Sequence, residues 1–197
     1  MDTNWDQRYQ IGDIPWDTGS PDTELIRVLD EYRIPPARAC EFGCGTGTNS
    51  LYLAARGFDV LGVDLSPTAI AAAQQRLAPS PAAARCRFLV ADLFHLPDLG
   101  PPFPFLFDRG CYHVTRLIDE PATLAVYDRY LAPGGRLLVL AGSSNDPCKE
   151  GPPKVSEAEI RRAFAPPFRI QHLREFHFDT RPGSGLKPLA WSLLVSK

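Results

Sequence analysis

The sequence predicts an α/β fold built on a doubly wound, mostly parallel sheet. Segments with a strand pattern alternate along the chain with segments of helical periodicity, as parallel strands joined by crossover helices require. Several strand segments are continuous apolar runs, which is typical of strands covered on both faces. A glycine-rich stretch, GCGTG, follows the first strand segment, and the carboxyl ends of strands are where such sheets bind their ligands.

Helices are predicted where apolar residues recur at helical spacing behind a capping residue. The first, SPDTELIRVLDEYRI, has Ser20 as its N-cap and Pro21 at its first position. Another, SPTAIAAAQQRLA, begins in the same way at Ser66. The remaining helices share a boundary signal or a helical period: TNSLYLAARG, closed by Gly57; EPATLAVYDRYLAP; and SEAEIRRAF, opened by a capping box of Ser156 and Glu159.

Strands are predicted in short segments that are rich in apolar residues and bounded by turn residues. In chain order they are ARACEF, FDVLGVD, CRFLVADL, FPFLFD, GGRLLVLAG, FRIQHLREFHF and LAWSLLVSK.

Composition and charge limit the function classes. The start, MDTNWDQRYQIGDIPW, lacks the basic and apolar regions of a signal peptide, and no uncharged apolar stretch reaches the roughly 18 residues of a membrane span. A net charge of -2 gives no electrostatic footprint for nucleic acid or an anionic membrane. The 5 cysteines are spaced neither as a disulfide framework nor as a zinc site. We therefore expect a cytoplasmic protein without a metal, whose partner is a small molecule.

The glycines of the first strand end suggest close contact between the backbone and a ligand. Gly43, Gly45 and Gly47 let the chain turn tightly where side chains would block the approach. The pattern is GxGxG, because Thr48 stands where dinucleotide-binding proteins have their last glycine. It also lacks the Gly-Lys-Ser/Thr of a phosphate-binding loop. An ordinary tight connection between a strand and a helix is the alternative.

Acidic residues follow at the ends of the next two strands. Asp64, about twenty residues beyond the loop, is placed to accept both hydroxyls of a ribose. Its alternative is a helix-capping or solvated acid. Asp92 is placed to accept from the exocyclic amine of a base, with Leu93 and Phe94 flanking the ring. A backbone cradle, a ribose acid and a base acid in this order predict a nucleoside ligand without a pyrophosphate.

The motifs EFGCGTG, VDLS, ADL and LAPGGRL resemble, in order and spacing, those of class I S-adenosylmethionine-dependent methyltransferases over roughly residues 37–142. The resemblance implies a seven-stranded sheet with an antiparallel last strand, and S-adenosylmethionine as the cofactor. It places Glu41 to Gly47 under the methionine part, Asp64 at the ribose and Asp92 at the adenine. It implies one methyltransferase domain, 1–197, in three segments: a leader and helix closing over the cofactor (1–33), a cofactor-binding core (34–142), and a substrate-rim loop, helix and closing strands (143–197).

The N-terminal stretch NWDQRYQIGDIPWDTGSPDTEL looks like the leader of the thiopurine and thiol methyltransferase branch, in which aromatic residues close over the cofactor. The matching rings are those of Trp5, Tyr9 and Trp16, and an aromatic face favours a sulfonium cation over its neutral product. The alternative is that these rings only pack the leader on the core. The cofactor-binding residues that the resemblance implies are Trp5, Tyr9, Trp16, Glu41, Gly43, Cys44, Gly45, Gly47, Asp64, Leu65, Asp92, Leu93 and Asp108.

The stretch FDRGCYHV follows the fourth strand, where class I enzymes present substrate-facing residues. Asp108 and Arg109 are expected near the methyl end of the cofactor, with Arg109 orienting an anionic acceptor or pairing with an acid. His113 is the candidate proton acceptor, and a structural histidine is its alternative. Cys111 is expected to line the pocket and not to act as a nucleophile. The predicted catalytic residues are thus His113, Arg109 and Asp108.

These residues predict methyl transfer from S-adenosylmethionine to a small-molecule acceptor by direct in-line displacement. A thiol or heavier chalcogen is favoured, because such a nucleophile needs little general base. The alternatives are an O- or N-methyltransferase with His113 as the base, and a non-catalytic regulatory protein that binds the cofactor. Arsenite methylation, with Cys44, Cys111 and Cys148 as ligands, is a further alternative.

Overall fold

The structure, a computed structural model, describes residues 4–181, 183, 185 and 187–197. The described residues form two compact units. The first unit lies within Met1–Pro97 and Asp179–Gly185, and the second within Asp98–Phe178 and Leu186–Lys197. The single domain with three segments remains a prediction.

In the first unit, helices alternate with parallel strands. The helices are α1 (Trp5–Ile11), α2 (Thr23–Glu31), α3 (Thr48–Ala55) and α4 (Pro67–Leu77), and 3₁₀ turns cover Pro81–Arg85 and Leu93–His95. The strands are β1 (Arg38–Phe42), β2 (Asp59–Asp64) and β3 (Cys86–Val90). They pair in the order β3-β2-β1, with Ala39 beside Val60 and Val60 beside Cys86.

In the second unit, parallel and antiparallel strands share one sheet. The helices are α5 (Tyr112–Tyr130) and α6 (Glu157–Ala163). The strands are β4 (Phe103–Arg109), β5 (Leu131–Ser143), β6 (Lys154–Val155), β7 (Arg169–His177) and β8 (Leu189–Ser196). Strands β4 and β6 run parallel to β5, whereas β8 is antiparallel to both β5 and β7. Mostly parallel pairing with an antiparallel last strand confirms the predicted fold class, and the short β6 is an addition to it.

The loop between β1 and α3 takes its shape from the packing of Phe88 on β3. A Cβ built on Gly47 would lie 2.5 Å from Cζ of Phe88, and one built on Gly62 would lie 2.7 Å from its Cδ1. Non-bonded carbon atoms do not approach so closely in a packed interior. Glycine is therefore required at both positions, and the ring holds the loop against the sheet.

The start of α2 differs from the prediction. Asp22 is the N-cap, since its Oδ1 accepts from the backbone N–H of Glu24 at 3.0 Å. The N–H of Asp22 donates to Oδ1 of Asn49 at 2.9 Å, which fixes Asp22 in an extended conformation. Ser20 as the N-cap and Pro21 as the first helical residue were therefore wrong.

Two other predicted helix starts are confirmed. The hydroxyl of Ser66 accepts from the N–H of Ala69 at the start of α4. Ser156 and Glu159 form both hydrogen bonds of the predicted capping box at the start of α6.

The structure also contains helical segments that the sequence reasoning did not predict. Helix α1 begins behind Asn4, whose side chain accepts from the N–H of Gln7, and ends at Gly12, which has a left-handed φ of 75°. Helix α5 begins at Tyr112, well before the predicted EPATLAVYDRYLAP. Its two halves meet at Asp119, whose φ of -154° is not helical, two residues before a proline.

Candidate active site

The glycine loop after β1 has the backbone conformation that its residues predict. Gly43, Gly45 and Gly47 have φ values of 68°, 53° and 79°, which side chains rarely adopt. A Cβ on Gly45 would lie 2.6 Å from the hydroxyl oxygen of Tyr9. Cys44 is buried in the loop, and its N–H donates to the carbonyl of Val63 at 3.0 Å. The loop thus has a fixed path, with its second glycine directly under a leader side chain.

Asp64, at the end of β2, holds this loop and retains acceptor capacity. Its Oδ2 accepts from the N–H of Gly45 at 2.8 Å, and its Oδ1 accepts from the N–H of Ser66 at 2.9 Å. Burial raises the pKa of Asp64 above its usual value. The N–H of Leu65 also hydrogen-bonds this carboxylate, so three of the four lone pairs of its two oxygens are used. The remaining acceptor position suits a ribose hydroxyl, and the helix-capping alternative is wrong, because the N-cap of α4 is Ser66.

The buried carboxylate of Glu41 lies beneath the loop and connects β1 to α3. Its Oε1 accepts from Nδ2 of Asn49 at 3.2 Å, and its Oε2 accepts from the hydroxyl of Ser50 at 2.5 Å. Both donors belong to α3, so the carboxylate ties the start of this helix to β1. Its predicted contact with the methionine part remains a prediction.

The residues after β3 form a turn with Asp92 as its cap. Its Oδ1 accepts from the N–H of Phe94 at 3.0 Å, and its Oδ2 lies 2.8 Å from Nδ1 of His95. Burial alone would raise the pKa of Asp92, but these two hydrogen bonds bring it below the usual value. Leu93 is buried, whereas Leu65 after β2 is 53% exposed. An exposed leucine beside the proposed ribose acid is available to a flat apolar group.

The leader, defined here as residues 4–22, brings its three aromatic rings together. The ring of Trp16 meets those of Trp5 and Tyr9 edge-on, with centroids 5.7 and 6.2 Å away. The guanidinium of Arg8 lies 4.3 Å from the centroid of the Trp16 ring. In the structure the cation on this ring is therefore the protein's own arginine. Packing explains the contacts of both tryptophans, whereas the hydroxyl of Tyr9 approaches the glycine loop.

Polar contacts fasten α1 to the start of α4. Oδ1 of Asp6 accepts from the hydroxyl of Ser66 at 2.6 Å and from the N–H of Thr68 at 2.9 Å. These bonds lower the pKa of Asp6 and keep its carboxylate charged. A carboxylate at a helix N-terminus also interacts favourably with the helix dipole. The leader is thus docked next to the strand end that carries Asp64.

In the second unit, Asp108 is a structural residue. It is 0% exposed, and its carboxylate accepts from the N–H groups of Cys111 and Tyr112 and, at 2.7 Å, from the hydroxyl of Tyr127. Burial raises the pKa of Asp108 to about 6 despite these hydrogen bonds. A carboxylate without exposed surface cannot touch an acceptor or the cofactor from the position it has here. This geometry opposes both roles predicted for it, and it explains why α5 begins where it does.

His113, in the first turn of α5, has its ring orientation and tautomer fixed by a backbone amide. The N–H of Gly142 donates to Nδ1 at 3.1 Å, so Nδ1 carries a lone pair and the ring hydrogen is on Nε2. Burial, together with the charges of Arg109 and Arg116, lowers the pKa of His113 to about 3. The residue is therefore a neutral N–H donor. This arrangement opposes the predicted role as a base, because Nε2 has no lone pair to receive a proton.

Arg109 stands at the end of β4 over an aromatic ring. Its guanidinium lies 4.9 Å from the centroid of Phe178, whose ring meets that of His113 edge-on at 6.4 Å. Cys111, at the N-cap position of α5, is partly exposed. A cationic group, a neutral N–H donor and aromatic rings thus lie together in this unit, and they suit an anionic group on an apolar ligand.

Two properties of the described residues bear on other classes of function. None of the described helices is both long enough and apolar enough to cross a membrane. Within the same part of the chain, His, Cys, Asp and Glu form no group of three that could hold a metal ion. The arsenite alternative therefore gains no support.

Comparisons with known proteins show what this chain is similar to. A family model described as Thiopurine S-methyltransferase (TPMT) matches residues 1–188. The probable thiol methyltransferase 2 of Arabidopsis thaliana is 26% identical over 162 residues, 82% of this chain and 71% of that protein. The 2-heptyl-1-hydroxyquinolin-4(1H)-one methyltransferase of Mycobacteroides abscessus is 30% identical over 153 residues, 75% of this chain and 65% of that protein. A solved structure of a SAM-dependent methyltransferase from Methanosarcina mazei has a TM-score of 0.74 and 20% identity, and covers 86% of this chain and 96% of that one.

Proposed function

Because the chain belongs to the thiopurine S-methyltransferase family, we propose that it methylates a small-molecule thiol at sulfur. The chain is an S-adenosylmethionine-dependent methyltransferase, as the family match implies. The proposal concerns the acceptor and the residues that serve it. The five cysteines are all free, which supports the reducing cytoplasm as the place of the reaction.

The observation that favours sulfur as the methylated atom is the hydrogen bond from the N–H of Gly142 to Nδ1 of His113. An alcohol or a protonated amine acceptor would need a base near the reacting atom, and the histidine at the predicted position is a donor. A thiol has a reference pKa near 8.5, so a few per cent of it is ionised in water near neutral pH, and an aromatic thiol has a lower pKa and a larger ionised fraction. A thiol acceptor therefore needs no proton transfer to the protein.

The bound cofactor supplies a methyl carbon that is already activated by a positively charged sulfur. The residues of the first unit bind it: Asp64 accepts from a ribose hydroxyl, Asp92 and Leu93 meet the adenine, and the loop from Gly43 to Gly47 lies under the methionine part. These contacts rest on the lone pair left on Asp64 and on the left-handed glycines that let the backbone approach. Fixed contacts of this kind hold the methyl carbon in one orientation.

The residues of the second unit serve the acceptor. Arg109 attracts the thiolate and lowers the fraction that is protonated when bound. His113 donates its Nε2–H to the acceptor, and Gly142 keeps this hydrogen in place. Phe178, which packs against both side chains, provides an apolar surface for the rest of the acceptor.

A second candidate is an acidic hydroxyl group as the acceptor. The Mycobacteroides abscessus relative is named for a hydroxyquinolinone, at 30% identity. A hydroxyl group that ionises without help would also avoid the need for a base. This candidate differs from the O-methyltransferase expected from a catalytic histidine, since ordinary alcohols would remain unreactive.

The experiment measures turnover of thiophenol, phenol and aniline, which share one ring and differ in the reacting atom. Thiophenol should be methylated fastest, and phenol and aniline should be slow. Activity confined to phenol or aniline would refute methylation at sulfur. Cofactor binding by calorimetry, with no turnover of any acceptor, would instead favour a regulatory role.

The pH dependence separates ionisation of the acceptor from ionisation of the protein. With a series of ring-substituted thiophenols, log(kcat/KM) should rise with pH and level off at a pH that follows the pKa of each acceptor. A break at one fixed pH for every acceptor would indicate a base on the protein and would contradict the role given to His113.

A further inference from the structure

Arg76, on α4, joins the cofactor loop to the leader. Its Nη1 donates to the hydroxyl oxygens of Thr46 at 2.6 Å and Thr48 at 2.7 Å, the two threonines on either side of Gly47. Its Nη2 lies 3.3 Å from Oδ2 of Asp17 in the leader. The hydroxyl of Thr46 completes the set by donating to the same Oδ2 at 2.7 Å. We call Asp17, Thr46, Thr48 and Arg76 the arginine clasp.

The acidic member of the arginine clasp is well ordered by its surroundings. The side chain of Asp17 is 8% exposed, and its Oδ1 accepts from the N–H of Gly19 at 3.1 Å. Thr46 is 6% exposed. Arg76 is 40% exposed, so its charge attraction to Asp17 is partly screened by water. Arg76 therefore acts mainly through the geometry of its hydrogen bonds, because one planar guanidinium reaches three acceptors.

The position of Thr46 makes this geometry relevant to the cofactor. Thr46 stands between Gly45 and Gly47, and Gly45 is itself held by Asp64, the residue placed to accept the ribose. Displacement of Thr46 therefore moves the backbone that carries the cofactor site. Leader and loop also meet at Tyr9, whose hydroxyl lies against Gly45.

We propose that Arg76 is a positioning residue which makes docking of the leader and closure of the cofactor loop a single event, and so sets how long cofactor and product stay bound. Undocking of the leader separates Asp17 from Thr46 and Arg76 and releases the loop in the same step. By linkage, cofactor that binds the closed loop must stabilise the docked leader to the same extent. Since the proposal concerns binding of the cofactor, it is independent of which acceptor is methylated.

The experiment compares Arg76→Ala with the wild-type chain, using S-adenosylmethionine and S-adenosylhomocysteine without any acceptor. Calorimetry gives Kd, and the fluorescence of Trp5 and Trp16 in a Trp191→Phe background gives the dissociation rate. Both ligands should bind about tenfold more weakly, a size typical of coupling between sites, mainly because they dissociate faster. In separate turnover assays with an acceptor present, the KM for the cofactor should rise, while the KM for the acceptor should not.

Arg56→Ala is the matched control. Arg56 is in the same unit, is 43% exposed and pairs with Asp30, away from the loop. It should leave Kd and the dissociation rate unchanged. Asp17→Ala should resemble Arg76→Ala, and the double variant should lose less than the sum of the two, as residues of one network do.

Some results would overturn the proposal. If Arg76→Ala lowers the melting temperature but leaves Kd and the dissociation rate within twofold of the wild type, the arginine clasp only stabilises the fold. Strictly additive effects of Asp17→Ala and Arg76→Ala would refute the single event. If Arg76→Ala does not fold, Arg76→Lys tests the proposal instead, because lysine keeps the charge but cannot span both threonines. Wild-type Kd and dissociation rate in Arg76→Lys would also overturn the proposal.

Discussion

Replacement of Asp108 by asparagine should change how the stability of the protein depends on pH. Asparagine has nearly the same shape, and its carbonyl oxygen can accept from the N–H groups of Cys111 and Tyr112, as Oδ1 of Asp108 does. Its NH₂ group can donate to the hydroxyl oxygen of Tyr127, which lies 2.7 Å from Oδ2 in the wild type. The substitution thus removes the ionisable group and keeps most of the hydrogen bonds.

The magnitude follows from the pKa of Asp108. Burial raises it from 3.8 to about 6 in the folded protein, so the folded state binds the proton more tightly than the unfolded state. Between these two pH values the free energy of unfolding falls as the pH rises. The stabilisation that comes from Asp108 is fully present only below its unfolded pKa. A shift of about 2 units corresponds to about 3 kcal/mol. The asparagine variant lacks this loss, so its stability relative to the wild type should rise by about 3 kcal/mol from pH about 4 to pH about 7.

Urea unfolding of both proteins at several pH values gives this difference in the free energy of unfolding. Other acids titrate in the same window, among them Asp64, whose pKa is raised by burial. They are present in both proteins and cancel in the difference.

A constant difference between wild type and Asp108→Asn would refute the reasoning. It would mean that Asp108 titrates alike in the folded and unfolded states, which contradicts a fully buried carboxylate. A difference that falls towards pH about 7 would show that the hydrogen bonds outweigh burial, and would give the opposite sign of shift.

Two further predictions concern the cofactor loop. Asp64→Ala should weaken binding of S-adenosylmethionine by about 1–3 kcal/mol, or roughly fivefold to 150-fold, as measured by calorimetry, since it removes the ribose acceptor; Asp59→Ala is the control, and unchanged affinity would refute the ribose role. Gly47→Ala should lower the melting temperature more than Gly12→Ala does, because both have left-handed φ but only Gly47 meets Phe88, at 2.5 Å from the new Cβ. Equal losses would show that the ring moves aside without cost.

The sequence was informative wherever a local rule sets the structure. The loop glycines, the Ser66 cap and the strands all follow from residues within one turn or one strand of each other, and the structure has them at those places. The predicted start of α2 was wrong because the true start depends on a residue that is distant in the sequence. Ser20 and Asp22 are both good caps, and the choice between them is made by Asn49, which is distant in the sequence and binds the N–H of Asp22.

The roles of side chains were harder to predict than the fold. Asp108 and His113 have the residue types of a catalytic pair, and nothing in FDRGCYHV indicates that a backbone amide 29 positions away occupies Nδ1. The roles of Asp17 and Arg76 were not predicted, because each is an ordinary charged residue in its own segment. Their importance arises only when α4, the leader and the loop are brought together.

The occupation of these polar groups has a chemical consequence. Asp108 is used to start α5, and the Nδ1 lone pair of His113 is used to accept from Gly142. The two groups that come nearest to an acid–base pair in the sequence thus already have structural partners, and burial together with Arg109 and Arg116 keeps His113 neutral. Under the proposed function, proton removal is then completed by the acceptor itself in water. We therefore expect acceptors that ionise readily to react faster than ordinary alcohols, so the same hydrogen bonds that stabilise the second unit would favour a thiolate.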